Sequence, residues 1–248
     1  MQVEPNVVIS EFFTQMDDLL HHEDTSDIDI SSKVAKQTES LARFQVPYYV
    51  LTNEPSQEKK GNLNIIHVDL DNIYRSYPDM TLYFYRIFMA FYFLQAHPEI
   101  EKAVLTDAGD VTMLNYPFDN IKDNTLYNMG DETTFLFYSW LVINDENPQY
   151  IKDFIFENAN SLPTLNLGVM AGTRATLIEY LGIMVKLITE AKLKFKKGNK
   201  DYQIGHYEMA ISNYVAYKYF SDRLVHGREV SSLFFGYQKH SSAWFKHK

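Results

Sequence analysis

Cysteine is absent from all 248 residues, which excludes disulfide bridges and thiolate zinc sites. A positive surplus is also missing. The formal net charge of −9 argues against a protein that binds nucleic acid non-specifically by neutralising phosphates. No uninterrupted apolar run is long enough to span a bilayer. The longest apolar stretch, "MTLYFYRIFMAFYFLQAH" (80–97), carries Arg86 in its interior. The opening "MQVEPNVVIS" lacks the basic start and long apolar region of a secretory leader. Internal repeats and low-complexity segments do not occur. These absences lead to the expectation of a soluble, cytoplasmic protein in a reducing environment, with peripheral membrane association left open.

What is present is apolar and aromatic. Hydrophobic residues make up 46% and aromatics 15%, the composition of a folded chain long enough to bury a substantial core. Tyrosine occurs 18 times and pairs an apolar ring with a hydroxyl, a combination suited to half-wet clefts as well as to cores. The basic stretch "KLKFKKGNK" (192–200) reads as a solvated helix end, with a membrane-surface or phosphate-contact patch as the alternative.

Short β-branched or aromatic runs predict strands over 6–13, 46–52, 63–70, 102–107, 133–140 and 164–172. Helical spacing predicts helices over 31–44, 80–95, 144–158, 174–194 and 207–220. The alternation implies an α/β layered fold with a mostly parallel sheet, in one domain. In such sheets ligands collect at the carboxyl ends of the strands. The segment over 80–95 is apolar on nearly every face, as in a helix buried against a sheet. Its Arg86 therefore needs a partner, either a protein carboxylate or an anionic ligand. The acidic stretch 17–29 reads as a loop, and His21 and His22 beside Glu23 and Asp24 read as incidental polar residues in it. Tyr74, Arg75 and Tyr77 in "NIYRSYPDM" read as a surface turn, with a ligand contact as the alternative.

The most informative segment is "KAVLTDAGDVTM" (102–113). A buried strand ends there, and Gly109 permits a tight turn that brings Asp107 and Asp110 to the same side. Two hard oxygen donors at a strand end suit Mg2+ or Mn2+, especially when a bound diphosphate supplies further ligands. A turn-capping aspartate pair has the same letters, so spacing alone leaves both readings open.

The longer segment "VLTDAGDVTMLNYPFDNI" resembles the region around the acidic metal-binding motif of GT-A type glycosyltransferases. The matching positions are Thr106, Asp107, Asp110, Val111, Pro117 and Phe118. Other segments follow in that family's order. The stretch "LYFYRIFMAFYFLQAHPEIEKAVLTD" is similar to the helix leading into the motif strand, with Arg86 where a residue approaches the nucleotide. The stretch "LPTLNLGVMAGTRATLIEYL" resembles the sugar-binding wall through Asn166, Gly168 and Gly172. "GHYEMAISNYVAY" resembles the later helix through Glu208 and Asn213. Two departures stand out: two residues rather than one separate the aspartates, and Glu208 stands where Asp is commoner.

The resemblance implies a GT-A type, Rossmann-like fold with a nucleotide-binding half over about 1–115 and a sugar- and acceptor-binding half over about 116–248. It implies a metal-dependent glycosyltransferase of glycan biosynthesis. A hexosyl or pentosyl group would move from a UDP- or GDP-sugar to an acceptor hydroxyl on a glycan. Asp110 would anchor a Mn2+ or Mg2+ ion, with Asp107 directly or through water. His247 would be the late metal ligand, with His240 as the alternative, and Lys248 would reach the phosphates. Ser10, Phe12, Phe13 and Thr14 would meet the nucleotide, with Asn53 and Glu54 secondary. Glu208 is the first choice as catalytic base, followed by Asp131 and Glu132. The sequence leaves inversion or retention of configuration open. The His-Lys ending is also consistent with one domain of a longer protein.

Two other function classes remain in view. A nucleotidyltransferase acting on sugar phosphates also mounts acidic metal ligands on an α/β sheet. However, "VVISEFFTQMDD" is neither glycine-rich nor basic, as a phosphate loop would be. The second is a non-catalytic nucleotide- or carbohydrate-binding module of the same fold.

Overall fold

The structure is a computed structural model and describes residues 2–21, 25, 28–55, 57–233 and 240–248. The side chains of Asp131, Glu132 and Thr133 lie outside the described set, as do His22, Glu23 and Asp24. In chain order the elements are β1 (Asn6–Phe12), α1 (Ile30–Lys33), α2 (Ala35–Ala42), β2 (Tyr48–Thr52), β3 (Glu58–Lys60), β4 (Leu63–His67) and α3 (Asp71–Ser76). Then come α4 (Leu82–Ala96), β5 (Lys102–Thr106), β6 (Val111–Met113), β7 (Leu126–Phe135), α5 (Trp140–Ile143), α6 (Gln149–Asn158) and β8 (Pro163–Thr173). The chain closes with α7 (Arg174–Lys196), α8 (Met209–Tyr219), β9 (Leu224–His226) and β10 (Phe245–His247).

Eight strands form one sheet in the order β3-β4-β2-β1-β5-β8-β7-β9, and β6 and β10 form a separate antiparallel pair. The α/β class follows the sequence reading, but the sheet is mixed rather than mostly parallel. β1, β2, β4 and β5 run parallel, whereas β3 runs antiparallel to β4, β8 to β5, and β7 to β8. β2 is buried at every position and β1 at all but its Asn6 and Glu11, so both read as near-continuous apolar runs.

Side chains that alternate along β1 feed two cores. Val7 and Ile9 join the face covered by α4, α7 and α8, while Val8 joins the face covered by α1 and α2. α4 buries nine of its fifteen residues, as its all-round apolar surface requires, and packs between β1 and α7. Thr173 caps α7 by accepting from the Thr176 backbone N–H. Among the described residues no helix is long and apolar enough to cross a membrane.

The expected strand over 133–140 differs from what forms. The strand there is β7, which starts earlier and stops at Phe135, and a 3-10 turn and α5 follow. Phe135 lies opposite Pro163, the first residue of β8. Proline has no N–H to donate, so the ladder ends there. The expected helix over 31–44 is broken at Val34 into α1 and α2.

The topology creates a switch point beside β1. The chain leaves β1 for β2 and β4 on one side, then returns to β5 on the other. The loops after β1 and β5 therefore diverge and leave a crevice at their carboxyl ends, where ligands bind in open α/β sheets. Glu11 and Asp107 stand at those two ends.

Candidate functional site

A cleft of about 870 Å3 opens over this switch point, large enough for a nucleotide with a sugar attached. Five elements carry its charged floor. β5 delivers Asp107, and the turn after it delivers Asp110 at the start of β6. β10 pairs with β6 so that His247 lies opposite Val111, and the Lys248 backbone N–H donates to the Asp110 carbonyl at 3.2 Å. α4 contributes Arg86, and the residue before α8 is Glu208.

A buried polar network shapes the turn. The Gln37 side chain donates to Thr106 Oγ1 at 2.6 Å and accepts the Gly109 backbone N–H at 2.9 Å. Ser10 Oγ lies 2.7 Å from Thr106 Oγ1 and accepts from the Tyr48 hydroxyl at 3.0 Å. Gly109 has φ of 90°, the left-handed geometry that lets the chain reverse between the two aspartates. A second glycine makes room for the histidine. A Cβ on Gly168 would lie 2.4 Å from His247 Nδ1 and 2.3 Å from its Cε1, so no larger residue fits against that imidazole.

The ligand atoms of Asp107, Asp110 and His247 all lie within 4.8 Å of one another. His247 Nε2 is 3.3 Å from Asp107 Oδ2 and 3.4 Å from Asp110 Oδ2. Its Nδ1 faces Met129 Sδ at 3.3 Å. Placing the ring proton on Nδ1 turns the Nε2 lone pair toward the carboxylates, as a metal ligand requires. Asp110 Oδ1 is buried with no hydrogen-bond partner among the described residues. Two carboxylates and one imidazole with an under-used buried oxygen fit a hard to borderline divalent cation such as Mn2+ or Mg2+.

Arg86 joins this trio to two further carboxylates. Its Nη2 is 2.7 Å from Asp107 Oδ1, its Nε 3.5 Å from Glu11 Oε2, and its Nη1 3.7 Å from Glu208 Oε1. The partner that a buried guanidinium needs is supplied by protein carboxylates. Burial and three acids around one guanidinium produce opposing shifts. Burial raises Glu11 and Glu208 to about 7, because it outweighs the attraction of Arg86. Asp107 moves the other way: burial pushes it up, but Arg86 and His247 hold it well below the usual carboxylate range. Burial pulls His247 down, yet Asp107 and Asp110 raise it to about 9.

The remaining expected residues divide into two groups. Phe12, Phe13, Asn166, Gly168, Glu208 and Lys248 line the cleft together with Arg86 and the metal trio. Lys248 Nζ lies 3.3 Å from Asp110 Oδ2. Ser10, Thr14 and Asn53 do not line it. Ser10 is buried beneath the turn, and Thr14 and Asn53 bind each other through backbone and side chain at 2.9 Å, joining the ends of β1 and β2. Asp131 and Glu132 fall on β7 with side chains outside the described residues. His240 is exposed and outside the metal-competent trio. Asn213 pins α8 to β8, with its amide donating to the Leu165 carbonyl at 2.8 Å and accepting the Leu165 N–H at 2.7 Å. Gly172 lies on β8 opposite Ala103, away from the cleft. Tyr74 and Arg75 form part of α3, where Arg75 pairs with Asp71 at 3.4 Å.

Sequence reasoning missed Glu11, Gln37 and Met129. Glu11 had a visible signal, a lone acid inside an otherwise apolar strand. Gln37 and Met129 had none, because their roles arise from contacts with residues at least 69 positions away. No protein-family model matches this chain, and no curated protein matches it, so its functional assignment rests on the geometry of the site.

Proposed function

We propose that this chain is a divalent-metal-dependent glycosyltransferase that moves a sugar from a UDP- or GDP-sugar to an acceptor hydroxyl on a glycan. The observation that carries this reading is the convergence of Asp107, Asp110 and His247, with Lys248 beside them, over the sheet's switch point. Asp107, Asp110 and His247 would hold a divalent cation, which would supply positive charge against the leaving diphosphate. Lys248 supplies a further positive charge on the same side.

Arg86 keeps Asp107 ionised and in place, and it fixes the carboxylate of Glu208. Glu208 lines the cleft, and its Oε2 is buried with no hydrogen-bond partner among the described residues, so its lone pairs are not engaged by the protein. A base near pH 7 is matched to taking a proton from an acceptor hydroxyl. As the acceptor oxygen bonds to the sugar's anomeric carbon, the bond from that carbon to the diphosphate breaks and the acceptor proton passes to Glu208. Asn166 and Gly168 form the wall beside the sugar.

A panel of nucleotide sugars tests this reading through thermal shift and slow hydrolysis, each with and without Mn2+. A member of the panel should stabilise the protein only with the ion present, and Asp110→Ala should abolish that response. Equal stabilisation of the Asp110→Ala variant would eliminate the metal-site reading. Consumption of nucleotide triphosphate with pyrophosphate release would indicate a nucleotidyltransferase instead.

A further inference from the structure

We infer that Tyr138 and Trp140, with Tyr207 packed behind Trp140, form a sugar-ring subsite for the acceptor, where a pyranose lies against the two exposed aromatic faces. The inference rests on the glycosyltransferase reading and deepens it. Residues 133–144 contain no charged side chain. The chain leaves the sheet within this stretch, and it turns two large aromatic side chains into the cleft: Tyr138 is 68% exposed and Trp140 59%. Rings exposed to this degree inside a cleft offer apolar faces that a ligand can cover. The Trp140 ring stands 6.1 Å from that of Tyr207, which in turn lies 5.1 Å from that of Tyr83, so two buried rings back the exposed Trp140.

The wall is built rather than incidental. Asp145, just beyond α5, has a side chain only 5% exposed. It accepts the backbone N–H of His206 at 2.8 Å and that of Tyr207 at 2.7 Å. This clamp ties the segment bearing Trp140 to the segment bearing Tyr207, so the rings are arranged before any ligand arrives.

Neighbouring groups favour a carbohydrate over a purely apolar occupant. Ser139, between Tyr138 and Trp140 in the chain, also lines the cleft and brings a hydroxyl beside the aromatic pair. A pyranose presents C–H faces and a rim of hydroxyls, which match both kinds of surface. The contact order along the cleft assigns the wall to the acceptor. Tyr207 precedes Glu208, Glu208 reaches Arg86, Arg86 reaches Asp107, and Asp110 and Lys248 stand beyond. The wall is therefore linked to the proposed base, whereas Lys248 contacts Asp110 of the metal trio.

The two tryptophans make a direct test available. Trp140 is exposed and Trp244 is 3% exposed, so iodide quenches the fluorescence of Trp140 selectively. Methyl glycosides of the common hexoses and N-acetylhexosamines are added to the whole chain, and Mn2+-dependent UDP binding is measured in the same sample. At least one glycoside should shield Trp140 and reduce its quenching roughly two-fold or more. With a donor identified, Trp140→Ala should raise the acceptor KM roughly tenfold, and Trp140→Phe should recover most of that loss.

If no glycoside shields Trp140 while UDP binding is intact, the subsite is refuted and the donor reading survives. Shielding by phosphatidylcholine vesicles alone would also refute it and assign the face to a lipid surface. Glycoside shielding without UDP binding would support the subsite and count against the donor reading.

Discussion

Glu11 shows how strongly a single buried acid can bear on this fold. Together with Glu208 it shares one guanidinium, and burial raises both to about 7. The folded state thus holds their protons more tightly than the unfolded chain, whose carboxyls titrate near 4.5. Stability from these protons is fully present below the unfolded value and is lost as pH rises through about 7. Glu11→Gln removes one such group. In chelator, this variant should be more stable than the native chain at about pH 8, by on the order of 1–3 kcal/mol, and nearly equal to it near pH 4.5. Urea denaturation at the two pH values measures the difference, and an equal effect at both would remove ionisation as its cause. Asp107 works in the opposite sense: its depressed value stabilises the fold above the unfolded carboxylate range, and that contribution disappears in acid.

At the scale of elements, the site depends on a two-stranded pair that few would choose as a scaffold. β6 and β10 have three residues each, yet their register sets His247 beside Asp107 and Asp110. Phe245 anchors β10 in the core that α1 and α2 cover. Phe245→Ala should cost about 3–5 kcal/mol of stability. It should also weaken Mn2+ binding in the fraction that remains folded, because the anchor lies two residues before the ligand. Thermal denaturation with and without Mn2+ reads both effects, and an unchanged Mn2+ response would separate β10 from the metal site.

The same pair marks the limit of what could be read from the sequence. β1, β2, β5 and α4 were legible because long apolar runs carry their own periodicity. Three-residue strands such as β6 and β10 carry none, and they form only because each finds the other. β7 was misread for a related reason: Asn128 and Gly130 resemble loop residues, and its end is set by Pro163 on the neighbouring strand. Asp107, Asp110 and His247 were legible as a motif and a late histidine. Asp145 was not, since its value lies in two backbone N–H groups 61 and 62 positions away.

At the scale of the molecule, the mixed sheet explains why so many charged groups meet in one place. Parallel β1 and β5 point their carboxyl ends into the crevice, while antiparallel β8 returns Asn166 and Gly168 to the same cleft. Glu11, Asp107, Asp110 and Glu208 face Arg86, Lys248 and His247 there, an acidic surplus that one divalent cation, with His247 as a neutral ligand, would neutralise before a diphosphate enters. Cation and nucleotide should therefore bind interdependently, each raising the affinity for the other. Calorimetric titration of UDP and GDP into the chain, with Mn2+ or with chelator, measures this coupling most directly. One of the two nucleotides should bind at least about tenfold more tightly with Mn2+, and Asp110→Ala should erase the difference. Binding of equal strength with Mn2+ and with chelator would contradict a metal-dependent diphosphate site at Asp107, Asp110 and His247.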